Sequence, residues 1–507
     1  MKIKDKLISN TIYLFLDWFF IALFSMIFWF IIGKTLSPES YGIIALSIQL
    51  SLLLTPLAVL GLGFSSSKLI SELLEKGLKD EVQGVINYSL KIVTFTSISL
   101  VLILIILSPQ LSSYLKLEPK VILLASFIMF FSSISTIWGS FYYGFQKMKK
   151  FFLTNFIGHL IKVIIPLILI FLGFGLFGPL IGLIICYFLI FLTRIDKDFF
   201  TVSKKAKIDK KKIFGFSKPS FITNVFSILF DKTKYIILTL MKSLEITGFF
   251  AIAGTVSLFL QVIPNMLSMA LFPIISGLDV DKDKKIKRNY LVRLVFRYSL
   301  FIILPLAVFL ILFSKQVIIF FSSSEYLPGA IYLPFLTIAG MFLGLSNLFF
   351  MSLYAIGKPK VRRNIQIIST LIYLSLAIPL TYYFSGMGLA IIYLITSIII
   401  FSSGFIFIRK YLSLNLPLKD IGRIVLAIFA PALFLTLFKS YVKSFWVAGI
   451  LMGGAGLIYV LILFKLNFYL EEDLKVLDFL SDRLPIFKNE IKGLRKYLSN
   501  FIKRSYK

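Results

Sequence analysis

Apolar runs of about 20 residues recur from one end of the chain to the other, each long enough to cross about 30 Å of hydrocarbon as a helix. The pattern predicts fourteen spans, at roughly 11–33, 41–64, 86–108, 120–144, 152–172, 176–193, 217–241, 247–275, 292–313, 327–354, 363–384, 388–408, 421–438 and 445–465. Most connections between them are short. The expected fold class is an all-α polytopic membrane protein.

The pattern repeats. Ser37-Pro38-Glu39-Ser40-Tyr41-Gly42-Ile43-Ile44-Ala45 is echoed 206 residues on by Ser243-Leu244-Glu245-Ile246-Thr247-Gly248-Phe249-Phe250-Ala251. Tyr143-Gly144-Phe145-Gln146-Lys147-Met148-Lys149 is echoed at an offset of 211 by Tyr354-Ala355-Ile356-Gly357-Lys358-Pro359-Lys360. An even number of spans per repeat makes the two copies parallel, related by an axis along the membrane normal, the usual plan of a transporter whose halves rock around a shared cavity. The expected layout is a six-helix lobe over 1–193, a basic cytoplasmic linker over 194–216 and a second six-helix lobe over 217–410. An added helix pair occupies 411–466 and a basic tail 467–507. In the tail, Phe487, Ile491, Leu494, Leu498 and Phe501 stand at helical spacing beside Lys488, Lys492, Arg495, Lys496 and Lys503, an amphipathic helix suited to the inner leaflet.

Charge fixes the expected orientation. Of the 54 Lys and Arg residues only seven (Lys34, Lys116, Lys120, Lys242, Lys315, Lys439 and Lys443) fall on the odd-to-even connections, while the termini and opposite connections carry most of the rest. The positive-inside rule then places both termini in the cytoplasm of a multi-pass cell-membrane protein. The net charge of +30 faces the anionic inner leaflet, and a nucleic-acid partner is not expected without a soluble basic domain. The basic start Met1-Lys2-Ile3-Lys4 is read as a retained first span, since its apolar stretch is long and no small-residue cleavage site follows. A single cysteine, Cys186, and a single histidine, His159, argue against disulfides, a metal site or any other cofactor.

No Gly-rich phosphate loop ending in Gly-Lys-Ser/Thr occurs, so an ATP-driven pump is not expected, and neither is an enzyme. Asp279-Val280-Asp281 lies among lysines and reads as a solvated loop. Ionisable groups within spans are costly and therefore single themselves out. The cationic candidates for substrate binding are His159, Lys162, Lys232, Lys234 and Lys91; the carboxylate candidates for ion coupling are Asp17 and Asp231. His159 and Lys162 share one helix face with no acidic residue within a turn. Asp231 and Lys234 are equally consistent with a self-neutralising ion pair, and Lys91 and Asp17 with a reach to the interface. Pro56, Pro166, Pro264, Pro273, Pro305, Pro334, Pro379 and Pro431 interrupt spans, and Pro56 with Pro264 and Pro166 with Pro379 form candidate matched kinks in the two halves.

The ordered set Leu36-Ser37-Pro38-Glu39-Ser40-Tyr41-Gly42, Gly61-Leu62-Gly63, Asp231-Lys232, Gly248-Phe249-Phe250-Ala251 and Gly357-Lys358-Pro359-Lys360 resembles the polysaccharide biosynthesis flippases. These form the lipid-linked oligosaccharide branch of the multidrug/oligosaccharidyl-lipid/polysaccharide exporter superfamily, and the resemblance covers about residues 5–410. It implies two six-helix lobes around a central cavity, alternating access, and movement of a polyprenyl-(pyro)phosphate-linked glycan from the inner to the outer leaflet. Partners implied are that lipid-linked oligosaccharide, membrane lipids and glycan-assembly enzymes. Asp231-Lys232 stands where the family usually carries Asp-Arg, and Lys keeps the charge while losing the bidentate fork. The competing reading is a cation-coupled multidrug or metabolite exporter of the same superfamily, which would favour a carboxylate pocket over interior lysines.

Overall fold

A computed structural model describes residues 3–196, 199, 209–276, 282–442 and 444–469, with single residues at 474, 493 and 495. Its regular elements are all helical. In chain order they are α1 (Ile3–Thr35), α2 (Pro38–Val59), α3 (Leu62–Glu75), α4 (Lys79–Ile106), α5 (Ser108–Leu115), α6 (Pro119–Gly144), α7 (Met148–Phe171) and α8 (Phe177–Arg194). There follow α9 (Lys210–Met241), α10 (Leu244–Ser257), α11 (Phe259–Ser276), α12 (Lys282–Leu312), α13 (Ser314–Phe321), α14 (Leu333–Ala355), α15 (Pro359–Leu412), α16 (Leu418–Phe438) and α17 (Phe445–Lys465).

Twelve of these helices are long and apolar enough to span a membrane, and the bent pair α10 and α11 makes a thirteenth span. With 54 residues, α15 would reach about 80 Å if straight, far beyond one bilayer. It is broken at Ser385, whose φ of 55° and ψ of −142° are not helical, so its two arms are the eleventh and twelfth of the fourteen spans.

The two sequence echoes have a local physical cause. Ser37 and Ser243 are both N-caps, each accepting from the amide three residues on, at 3.4 Å and 3.2 Å, with Glu39 and Glu245 in the first turn against the positive helix end. Gln146 and Gly357 both turn left-handed, at φ 55° and 74°, after α6 and α14. In each case the next amide returns to the helix, Lys147 N–H to the Tyr142 carbonyl and Lys358 N–H to the Leu353 carbonyl, both at 2.9 Å.

Helices α1 to α8 form the first lobe, with α6 at its centre against α2, α3, α4 and α8, and α1 lying along α7. In the second lobe α14 lies against α11, α12 and α15, and α9 joins it along α15. The pair α16 and α17 docks on α12, where Arg297 pairs with Asp420 at 3.6 Å. The lobes meet through α2 against α9 and α10, and α3 against α9.

Several expectations shift. Helix α9 begins at Lys210, so part of the segment read as linker is helix, and α8 runs through Arg194. The Lys204–Lys207 run, Asp279-Val280-Asp281 and the amphipathic tail lie outside the described residues. The pair Pro56 and Pro264 does not mark matched bends: the first half breaks at Leu60 and Gly61, just after Pro56, whereas the second bends by 40° at Leu258, well before Pro264. Pro166, Pro305, Pro379 and Pro431 sit inside continuous helix, and Pro334 in the first turn of α14, where its missing N–H costs nothing.

Candidate functional site

A cavity of about 500 Å³ lies in the first lobe, walled by α3, α6, α7 and α8, with Ser220 and Asn224 of α9 also lining it. Its lining comes from the helix ends nearest the lysine-rich connections, here called the basic face. Hydroxyls and amides are prominent among its lining residues: Ser67, Ser135, Thr136, Ser140, Asn155, Ser220 and Asn224 face it, with Tyr143, Tyr187 and His159, beside an apolar share from Val59, Phe64, Phe151 and Ile190. The side-chain periodicity that puts them there is helical, since Thr136, Ser140 and Tyr143 recur at steps of four and three along α6.

One guanidinium organises this wall. Arg194, the last residue of α8 and 4% exposed, turns back into the lobe instead of out to water. Its Nη2 donates to Asn155 Oδ1 at 2.6 Å, its Nε to Thr154 Oγ1 at 3.3 Å and its Nη1 to the Ser135 carbonyl, while the guanidinium stacks 4.8 Å from the Phe151 ring. Asn155 Nδ2 in turn donates to Asp17 Oδ1 at 2.8 Å. The chain Arg194, Asn155, Asp17 thus ties α8 and α7 to α1 and compensates a buried carboxylate across an amide. Sequence reasoning placed Arg194 in the linker and gave Asn155 no role. The signal was present in α7, whose Asn155, His159 and Lys162 form one polar stripe.

His159 lines the cavity, and its buried Nδ1 has no hydrogen-bond partner. One turn deeper, Lys162 donates to Ser25 Oγ at 3.0 Å and stands 4.8 Å from the Phe28 ring centroid, with no carboxylate in ion-pair range among the described residues. Lys91 is exposed on α4 and lines neither this cavity nor the smaller one described next.

Asp231 is held between two ammonium groups, Lys232 at 2.6 Å and Lys234 at 3.1 Å, with the Tyr393 hydroxyl donating at 3.3 Å. Lys234 is buried and lies 4.1 Å from the Tyr393 ring. The carboxylate already serves two cations, and the cluster keeps one surplus positive charge. It borders a second cavity of about 60 Å³ between the lobes.

Opposite the basic face the lobes are shut. Gly42 on α2 and Gly248 on α10, the matched glycines of the repeat, cross so closely that a Cβ on either would run into the other helix, at the Leu244 and Pro38 carbonyls respectively. Tyr326 donates to the Leu36 carbonyl at 2.8 Å, and Lys34 donates to the Ile319 and Ser322 carbonyls at 2.7 and 2.5 Å.

Two helical lobes closed on each other at one face, over a polar cavity toward the other, define a multi-pass membrane protein with a transporter fold. The chain belongs to the polysaccharide biosynthesis protein family, whose profile matches residues 7–279. Among solved structures it is similar to the lipid II flippase MurJ in an inward closed conformation, with a TM-score of 0.69 and 21% identity over 90% of this chain and 99% of that one. It is also similar to an inward-facing multidrug resistance MATE family transporter of the MOP superfamily, with a TM-score of 0.61 and 16% identity over 80% and 94% of the two chains. A MATE transporter of Vibrio cholerae aligns with a TM-score of 0.56 and 17% identity over 81% and 97%. No functionally curated protein matches the chain.

Proposed function

We propose that the protein is a flippase that moves a polyprenyl-(pyro)phosphate-linked oligosaccharide from the cytoplasmic to the outer leaflet by alternating access. The basic face is then cytoplasmic, and the protein serves surface polysaccharide or glycoprotein glycan assembly in the cell membrane without doing covalent chemistry. Such a substrate joins a hydroxyl-rich glycan, which needs many hydrogen-bond partners, to a phosphate, which needs cations in a low-dielectric site. The observation that carries the reading is Lys162, a cation with no carboxylate in ion-pair range among the described residues, one turn beyond the wall of a cavity bearing hydroxyls and amides. Arg194 and His159 stand at that wall as polar contacts, and in this reading ion coupling falls to Asp17, the buried carboxylate that accepts from Asn155. Asp231, enclosed by Lys232 and Lys234, is a poor candidate for that coupling, since a metal cation there would meet two ammonium groups.

The test is transfer of a fluorescent polyprenyl-pyrophosphate oligosaccharide between leaflets of proteoliposomes. Protein-dependent transfer, reduced at least tenfold in Lys162→Ala, is the expected result. Efflux of a small cationic dye on a proton or sodium gradient, with no glycolipid transfer, would assign the chain to the drug-exporter branch instead.

A further inference from the structure

Helix α3 carries two faces of different character. Leu62, Leu69, Ile70 and Leu73 are buried in one apolar cluster with residues of α4 and α6. Phe64, Ser67, Lys68, Ser71 and Glu75 recur at helical spacing on another side and border a space of about 380 Å³, together with Tyr143 from the end of α6. That volume is inside the range of about 300–1,000 Å³ typical of small-molecule sites. Phe64, Ser67 and Tyr143 also line the large cavity, so this space is a vestibule adjoining it at the basic face. The two differ in charge. Arg194 and His159 line the large cavity and no carboxylate does, whereas Glu72 and Glu75 line the vestibule with a single ammonium, Lys68. Glu72 is taken up by Lys212 at 2.9 Å and Lys68 at 3.9 Å. Glu75 is exposed and has no ion-pair partner among the described residues.

Phe64 is 60% exposed although it lines both spaces, and Tyr143 adds a second ring, held by an edge contact with Phe151 at 4.9 Å. Open aromatic rings beside hydroxyls and a free carboxylate are the chemistry of sugar binding. The negative face of a ring attracts the polarised C–H groups on the apolar side of a pyranose. A carboxylate accepts charge-assisted hydrogen bonds from sugar hydroxyls, and Ser67 and Ser71 can donate or accept. We propose that this vestibule is a glycan-recognition subsite that holds a neutral or amino sugar against Phe64 and Glu75 and discriminates against sugars bearing carboxylate groups. A uronic acid would set a like charge against Glu75, which is the basis of the discrimination. That the sugar belongs to a lipid-linked glycan rests on the flippase reading; the site's preference for non-acidic sugars does not.

The experiment is protection of a thiol in the vestibule. Ser71→Cys supplies it, and the native Cys186 is buried, so labelling of the purified full-length protein by a polar maleimide in detergent reads the new site. The probes are maltotetraose, a glucosamine tetramer and tetragalacturonate at matched ionic strength. The expected result is a saturable slowing of labelling by roughly threefold or more with at least one of the two non-acidic probes, and none with tetragalacturonate. Adding Phe64→Ala, at an exposed position, should abolish the protection, and Glu75→Gln should let tetragalacturonate protect as well. No slowing by either non-acidic probe, equal slowing by tetragalacturonate in the Ser71→Cys protein, or protection unchanged by Phe64→Ala overturns the subsite. Protection in a protein inactive in the glycolipid transfer assay removes the flippase reading and leaves the sugar site standing. Glycolipid transfer without protection does the reverse.

Discussion

Arg194 shows how one side chain can hold three helices in register. A Cβ on Gly139 would stand 2.7 Å from its Nη1, so α6 carries glycine where the guanidinium enters. Arg194→Ala strands the Asn155 amide and the Asp17 carboxylate together, and should cost about 3–5 kcal/mol of stability, read as a lowered unfolding midpoint. Arg194→Lys keeps the charge but loses the fork, and should recover only part of that loss. A smaller effect of opposite sign is expected at Gln146, which occupies a left-handed turn that Gly357 occupies in the second half. Gln146→Gly should relieve about 1 kcal/mol of backbone strain and raise the midpoint, whereas Gly357→Ala should lower it by a similar amount. His159 and Lys162 were legible in the sequence because a titratable group in an apolar run is conspicuous. Arg194 was not, because it closes an apolar run and is followed by Asp196 and Lys197, so its charge read as the start of the linker. Whether an arginine at a helix end turns outward or inward depends on neighbours in space, here Ser135, Thr154 and Asn155, which lie 39 to 59 residues away.

At the scale of helices, fourteen apolar runs were enough to place the spans, since hydrocarbon thickness alone sets their length. The breaks within them were less legible. Proline marks the bend after Pro56, but no proline stands at the bend at Leu258 or at the break at Ser385. The polar stripe of α9 was readable: Ser217, Ser220, Asn224, Ser227, Asp231 and Lys234 recur every three or four residues and trace the face it turns to the other lobe. Ser217 bonds Ser65 there at 2.7 Å, and Ser220 and Asn224 reach the large cavity. The repeat motif also proves to be a contact as well as a cap, since Gly42 and Gly248 meet across the lobe boundary. Gly42→Val should therefore force α2 from α10 at a cost of about 1–3 kcal/mol, opening the far face. A cysteine at Thr255, which now contacts the Tyr41 hydroxyl at 3.2 Å, should then label faster with a polar maleimide than the same cysteine beside Gly42.

Across the whole molecule, two of the contacts between the lobes, at opposite ends of the boundary, differ in chemistry. The far face is joined by crossed glycines and by Lys34 held on two backbone carbonyls, acceptors that do not titrate. Toward the basic face the junction of α3 with α9 is polar: Ser65 with Ser217, Lys68 over the Phe216 ring at 3.8 Å, and Lys212 with Glu72 at 2.9 Å. The hydrogen bond from Lys212 holds the Glu72 carboxyl below its ordinary range. A depressed carboxyl strengthens the folded contact above its unfolded pKa and loses that contribution as pH falls through the folded value. The α3–α9 junction should therefore loosen under acid and with salt, while the far-face junction does not. Alternating access needs each junction to open in turn, so each can be tested by locking it. A Ser65→Cys, Ser217→Cys disulfide fixes the α3–α9 level, and a Tyr41→Cys, Thr255→Cys disulfide fixes the far level. Both locks should abolish leaflet transfer and both should be reversed by reductant. If transfer continues with the far lock closed, substrate does not leave between α2 and α10, and the crossing of Gly42 with Gly248 is a fixed hinge instead of a gate.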